Sequence, residues 1–484
     1  MKQRKGGVLM HISSLPSGYG CGSFGKYARK FIDKMSECGF TVWQVLPLCV
    51  PDSYSSPYSS VSAFSGNPNF IDLETLFEKG YITHAELEAA HEKTPYAAEF
   101  SRLREERPAL LKKAAQRALS DKSTAALVDD FMANHPYIAD FCRFAAIKEA
   151  NGEAAWDEWK TENYSPDDEA AHRFIQYEFF REWANLLKYA HSKGVYIIGD
   201  IPFYVARDSS DVWAHREQYL IDKDGKPEWV AGVPPDYFSE DGQLWGNPLY
   251  DWETMKKDNF SFWRDRMRHM FSMFDGVRID HFRAVESYYA VPGTSKTAKN
   301  GVWRKGPREA FVDMIKETAS EFEDEKLIIA EDLGDITDEV RALLHYSGFP
   351  GMRVLQFGYL YDGDSLHRPH NYSRNCVAYT GTHDNNTLLG GIWEMPPERR
   401  RDLFDYCGCG NDWNEACVGI IRELFASAAD TVIIPIQDIL GYGADTRMNK
   451  PGIADNNWSF RISKEQLESV NTARYRRFCS IFAR

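Results

Sequence analysis

Carboxylates recur at one kind of place in this sequence, directly after short apolar runs. Gly199-Asp200 closes one run, Arg278-Ile-Asp280 ends another, and Glu331-Asp332 follows a third. His383-Asp384 and Gln437-Asp438 lie just beyond two more. Burying several acids together is costly unless they are paired or used. Arg278 and Asp280 stand two apart on a predicted strand, so both side chains point to one side. A guanidinium there favours the ionised carboxylate that a nucleophile needs. Glu331 follows an apolar run, a setting that raises a carboxyl pKa and suits a general acid. Plainer readings exist for each residue: a structural ion pair, a surface strand end, or, for Asp384, a helix cap. Taken as a set, one ionised carboxylate, one in a drier setting and a third nearby match retaining glycosidic chemistry. The first attacks the anomeric carbon and the second protonates the leaving oxygen, with about 5–5.5 Å between them. The third can hydrogen-bond ring hydroxyls as the sugar distorts.

The elements that must position these groups are eight apolar runs: Gly7–Ile12, Thr41–Leu46, Val195–Ile201, Gly276–Asp280, Leu327–Ala330, Met352–Phe357, Cys376–Thr380 and Thr431–Ile436. They are nearly continuous rather than alternating, as in parallel strands buried on both faces. Helical stripes lie between several of them. Phe24, Tyr27, Ala28, Phe31, Ile32 and Met35 form one, ended by Gly39, and Phe174 to Ala190 form another. Thr337 opens a third, which stops at Gly348. Strands alternating with helices predict an α/β fold, a closed (β/α)₈ TIM barrel, with catalytic groups at the C-terminal ends of the strands. Residues 1–66 and 171–484 are assigned to that barrel and 67–170 to a mainly helical insertion subdomain. Residues 203–252 are assigned to a loop-rich insertion over the active site.

The motifs then become specific. Arg-Ile-Asp280-His-Phe-Arg, Ile-Ile-Ala-Glu331-Asp-Leu-Gly and Gly-Thr-His383-Asp384-Asn resemble, in that order, the three catalytic motifs of the 4-α-glucanotransferases (amylomaltases or disproportionating enzymes) of the α-amylase clan. The segments from Ser56-Pro-Tyr58 to Asn67, Gly199-Asp200-Ile-Pro, Gly242-Gln-Leu-Trp245-Gly-Asn and Arg447-Met-Asn449-Lys-Pro also resemble that family. The helical insertion is the least matched part. The resemblance implies Asp280 as nucleophile, Glu331 as acid/base and Asp384 as transition-state stabiliser. It further implies that Arg278 holds Asp280 ionised, His383 contacts sugar hydroxyls, and Tyr58 stacks on the donor sugar. Trp245 and Asn449 would line neighbouring subsites, and Asp200 would either contact substrate or orient Arg278. The implied substrates are maltodextrin, glycogen or starch-derived glucans, with glucose or maltooligosaccharides as acceptors and no metal or organic cofactor.

Composition narrows the field further. With 57 basic and 71 acidic side chains the net charge is −14, which argues against nucleic-acid and membrane-surface binding. Nine scattered cysteines in 484 residues point to reduced thiols and a cytoplasmic enzyme. Cys407-Gly-Cys409 has no second Cys/His pair at zinc-finger spacing. Neither a signal peptide nor an apolar stretch of membrane-spanning length is expected. Three other readings remain open at this point: an α-glucan hydrolase with the same triad, a metal-dependent barrel hydrolase, and a sugar-binding protein without turnover. The metal reading is weakened because His11 is followed by Ile12-Ser13 rather than a second histidine. The binding-protein reading is weakened because all three candidate carboxylates are present.

Overall fold

Along the strand Thr431–Pro435 every residue is buried, as a parallel strand covered on both faces requires. Seven more strands are buried along all or most of their length: Lys5–Leu9, Val42–Gln44, Tyr196–Ile201, Gly276–Ile279, Leu327–Ala330, Gly351–Val354 and Cys376–Tyr379. In the computed structural model, which describes residues 4–235, 240–360, 365–410, 412–453 and 455–484, these eight close into a parallel barrel. They follow one another around the ring in chain order, and the last pairs with the first from Lys5↔Thr431 to Leu9↔Pro435. Each strand coincides with one of the eight apolar runs read from the sequence. Several stop a few residues earlier than those runs, so His11, Asp280 and Thr380 lie just past strand ends, at the mouth.

The helices between strands take the predicted faces. In Lys26–Cys38 the residues Ala28, Phe31, Ile32 and Met35 are buried, and Gly39 ends the helix in a left-handed turn at φ 77°. Its N–H caps the Met35 and Ser36 carbonyls, a conformation that a residue without Cβ adopts freely. Thr337 is the N-cap of Asp338–Ser347, its side chain accepting from the Val340 N–H. Between the second and third barrel strands lie helices Leu73–Glu78, His84–Ala89, Phe100–Leu119, Lys122–Asn134 and Pro136–Ala150. The last three of the five pack on the long helix Pro166–Ser192, which also packs on Lys26–Cys38 and the third strand. Leu103, Leu111, Ala115, Phe141 and Phe144 therefore belong to the same continuous core as the barrel side chains Val8, Ile198 and Ile433.

Residues 203–252 depart from the loop-rich expectation. They contain the helix Ser210–Ala214 and the strands Trp229–Val233 and Gln243–Pro248, while residues 236–239 lie outside the described part. These two strands join Ser287–Pro292 and Val302–Lys305 in a four-stranded antiparallel sheet, in the order Gln243–Pro248, Trp229–Val233, Ser287–Pro292, Val302–Lys305. The edge strand Gln-Leu-Trp-Gly-Asn-Pro has little intrinsic strand propensity, and its sheet is built from pairing across tens of residues. Among the described residues, no helix is long and apolar enough to cross a membrane.

Candidate active site

The strand register brings the candidate acids together. Asp200 pairs with Arg278 and Ile201 with Ile279 between the third and fourth barrel strands. Arg278 pairs with Ile329 and Ile279 with Ala330 between the fourth and fifth. Asp280 and Glu331 therefore continue matched positions on neighbouring strands, which lie about 4.8 Å apart. Adjacent strand ends are where two carboxyl groups can flank one glycosidic bond, as retaining chemistry requires. The next residue, His281, has a left-handed backbone (φ 50°) and donates its N–H to Glu331 Oε2 at 2.8 Å. The Leu333 N–H donates to Oε1 at 2.7 Å. Both oxygens of Glu331 are thereby oriented, and only 9% of the residue is exposed.

Arg278 decides the electrostatics at the centre. Its Nη1 lies 2.9 Å from both oxygens of Asp200, and its Nη2 lies 2.8 Å from Asp280 Oδ1. Asp200 is 1% exposed and also accepts from the Tyr58 hydroxyl at 2.6 Å. Of the two roles left open for Asp200, these contacts match orientation of Arg278. Burial lowers the Arg278 pKa, but Asp200 and Asp280 outweigh it and hold the guanidinium well above its usual value. Burial pushes Glu331 up to about 7; the Asp280 charge adds to this, while Arg278 and the two backbone N–H groups oppose it. The neighbouring Asp332 does something else. It accepts from the Met352 N–H at 2.6 Å and from Arg353 at 3.0 Å, pinning the fifth strand to the sixth.

Asp384 stands on the loop after the seventh strand. His383 Nε2 lies 3.3 Å from its Oδ2, and Asn449 donates to its Oδ1 at 2.6 Å. Burial pushes its pKa up, but His383, Asn449 and Arg278 outweigh that and leave it well below the usual carboxylate range. Asn449, expected to line a neighbouring subsite, is bound to Asp384 itself and also donates its N–H to the His383 carbonyl at 3.0 Å. Tyr58 stacks face to face on His383, with centroids 4.7 Å apart and 16° between planes. Trp245, on the strand Gln243–Pro248, meets His281 edge to face at 4.9 Å, with 38% of the residue exposed.

Two supports went unread in the sequence. Arg447 donates to the Asp384 carbonyl, and through Nε to the Asn449 carbonyl at 2.7 Å. Asp438, noted only as one more rim carboxylate, accepts from the Thr380 hydroxyl at 2.5 Å and from the Leu388 N–H at 2.7 Å. It thus clamps both ends of the loop bearing His383 and Asp384. A strand-end acid with no basic neighbour in sequence was the available signal for it.

Barrel and carboxylate-lined mouth together define a (β/α)₈ enzyme acting on glycosidic bonds. Within that class the chain belongs to the 4-alpha-glucanotransferase family, whose sequence profile matches residues 10–467. It is 40% identical over 482 residues to the 4-alpha-glucanotransferase of Streptococcus pneumoniae serotype 4, covering 96% of this chain and 95% of that one. Against the 4-alpha-glucanotransferase of Aquifex aeolicus it is 40% identical, covering 96% of both. The structure of an amylomaltase from Streptococcus agalactiae in complex with acarbose superposes with a TM-score of 0.95 at 36% identity, over 99% of both chains.

Proposed function

We propose that the enzyme cleaves an α-1,4-glucan, keeps one segment on Asp280, and passes it to the 4-hydroxyl of a glucose or maltodextrin acceptor. The observation that carries the reading is the matched register of Asp280 and Glu331 on adjacent strands, bridged electrostatically by Arg278. In the first step Asp280 attacks the anomeric carbon while Glu331 gives its proton to the leaving glycosidic oxygen. The product is a shortened glucan and a β-glycosyl ester on Asp280. Esterification removes the Asp280 charge, one of the influences raising the Glu331 pKa, so Glu331 becomes readier to remain ionised. In the second step Glu331 takes the proton of the acceptor hydroxyl, whose oxygen displaces Asp280 with a second inversion. Asp384, held ionised, contacts ring hydroxyls in the transition states; His383 and Asn449 fix its position, and Tyr58 stacks on His383.

Maltodextrins and the glucans of glycogen or starch supply donors of the required linkage. Carboxylates carry both proton transfer and covalent chemistry, so neither step calls on a metal or organic cofactor. The nine free cysteines support residence in the cytoplasm. Hydrolysis would use the same ester with water as acceptor. Transfer is favoured by Trp245, which meets His281 beside Asp280 and offers a sugar acceptor an apolar ring surface that water does not need. Incubation with maltotriose should yield glucose and longer maltodextrins with little gain in reducing ends. A steady rise in reducing ends without longer products would make the protein a hydrolase.

A further inference from the structure

Trp393 is the most exposed tryptophan of the described chain, with 73% of its surface open. It lies on the helix Leu388–Glu394, whose other face, through Leu388 and Ile392, is fully buried. Leaving an indole in water forgoes the burial of roughly 150–250 Å² of aromatic surface. The ring is not isolated. Trp413 lies 5.1 Å away at 49°, and the Arg400 guanidinium covers the Trp413 ring at 4.6 Å from its centroid. The pair forms a braced aromatic step on the outside of the barrel.

Its place in the fold ties it to the catalytic mouth. The helix begins directly after the loop carrying His383 and Asp384, and its first N–H is held by Asp438. It packs against the turn Ala444–Thr446, which leads into Arg447 and Asn449. Glu394, next to Trp393, acts electrostatically on Arg447, the residue that donates to the Asp384 carbonyl. Glu394 and Glu398 are exposed around the step and Arg400 is half-buried beside it. Bare indole faces ringed by the hydrogen-bonding groups of Glu394, Glu398 and Arg400 suit a polyhydroxylated chain whose sugar rings have apolar faces.

We propose that Trp393 and Trp413 form an outer binding platform for the α-1,4-glucan chain of the substrate, beyond the sugars held at Asp280 and Glu331. This rests on the glucanotransferase reading, and the two fail in different ways. If that reading is wrong, the unaltered enzyme will not disproportionate maltotriose. The platform is tested with Trp393→Ala and Trp393→Phe, whose side chain is exposed and whose replacement spares the core. KM for long-chain amylose should rise roughly three- to tenfold in Trp393→Ala, with maltotriose kcat/KM kept within about twofold and a smaller effect in Trp393→Phe. Affinity electrophoresis through glycogen, in an Asp280→Asn background that leaves the polymer intact, should show the same weakening. Equal amylose KM and equal retardation in glycogen would overturn the platform. So would an equal loss on maltotriose and amylose, or a homodimer that Trp393→Ala dissociates.

Discussion

Replacing Glu331 by Gln tests the proton-transfer argument most directly. Burial and the Asp280 charge lift this carboxyl from an ordinary value near 4.5 to about 7. That change corresponds to about 3 kcal/mol disfavouring the ionised form. At pH 6 a carboxyl titrating at 7 is about 90% protonated and one titrating at 4.5 about 3%, so its environment multiplies the competent acid about thirtyfold. The first step needs the protonated form. Wild-type kcat/KM on maltotriose should therefore fall as pH rises through about 7, roughly tenfold per pH unit beyond it. Glu331→Gln should lose about 10²–10⁴ in rate and show no such limb. With α-maltosyl fluoride, whose leaving group needs no proton, the variant should form the Asp280 ester. Without a base for the acceptor hydroxyl the ester should accumulate, visible by mass spectrometry of the intact protein. The measurement is a pH profile of initial rates with both donors. An alkaline limb near 7 that survives in Glu331→Gln, or a variant that the fluoride does not rescue, would refute the assignment.

Asp280→Asn should retain glucan binding but form no covalent adduct with the fluoride donor; substantial transfer by this variant would remove Asp280 from the nucleophile's role. Asp438→Ala leaves the buried Leu388 N–H and Thr380 hydroxyl without their acceptor, and should cost about 2–4 kcal/mol, seen as a lower Tm. Asp438→Asn, which keeps one acceptor oxygen, should recover part of this, and an Ala variant as stable as wild type would dismiss the clamp. Tyr58→Phe removes the hydroxyl that donates to Asp200 and should slow maltotriose transfer by about tenfold, in line with one hydrogen bond to a charged group. Unchanged kinetics in that variant would leave Tyr58 as packing alone.

The barrel was legible because each of its strands is a local signal. Leu327–Ala330 and Thr431–Pro435 are buried on both faces, and such strands read as unbroken apolar runs wherever they stand in the chain. The rim positions of Asp280, Glu331 and Asp384 were legible for a related reason: in a parallel barrel every strand delivers its C-terminal residue to the same rim. The antiparallel sheet was not legible. Gln243–Pro248 contains Gly246, Asn247 and Pro248, and it is a strand only because Trp229–Val233 offers it a ladder. Partner choice lay beyond the sequence too. Nothing local says that Glu331 turns into the mouth while Asp332 turns to Arg353, or that Asp200 spends both oxygens on Arg278. Tyr58 and His383 stack across 325 residues of chain, and Asn449 reaches Asp384 across 65. The residue types and their order along the chain set which groups reach the rim, because backbone periodicity is a short-range property. Which of them touch, and so which carboxyl has its pKa lowered and which has it raised, is decided by closure of the barrel, because hydrogen bonding and desolvation act only between groups the fold has brought within a few ångströms.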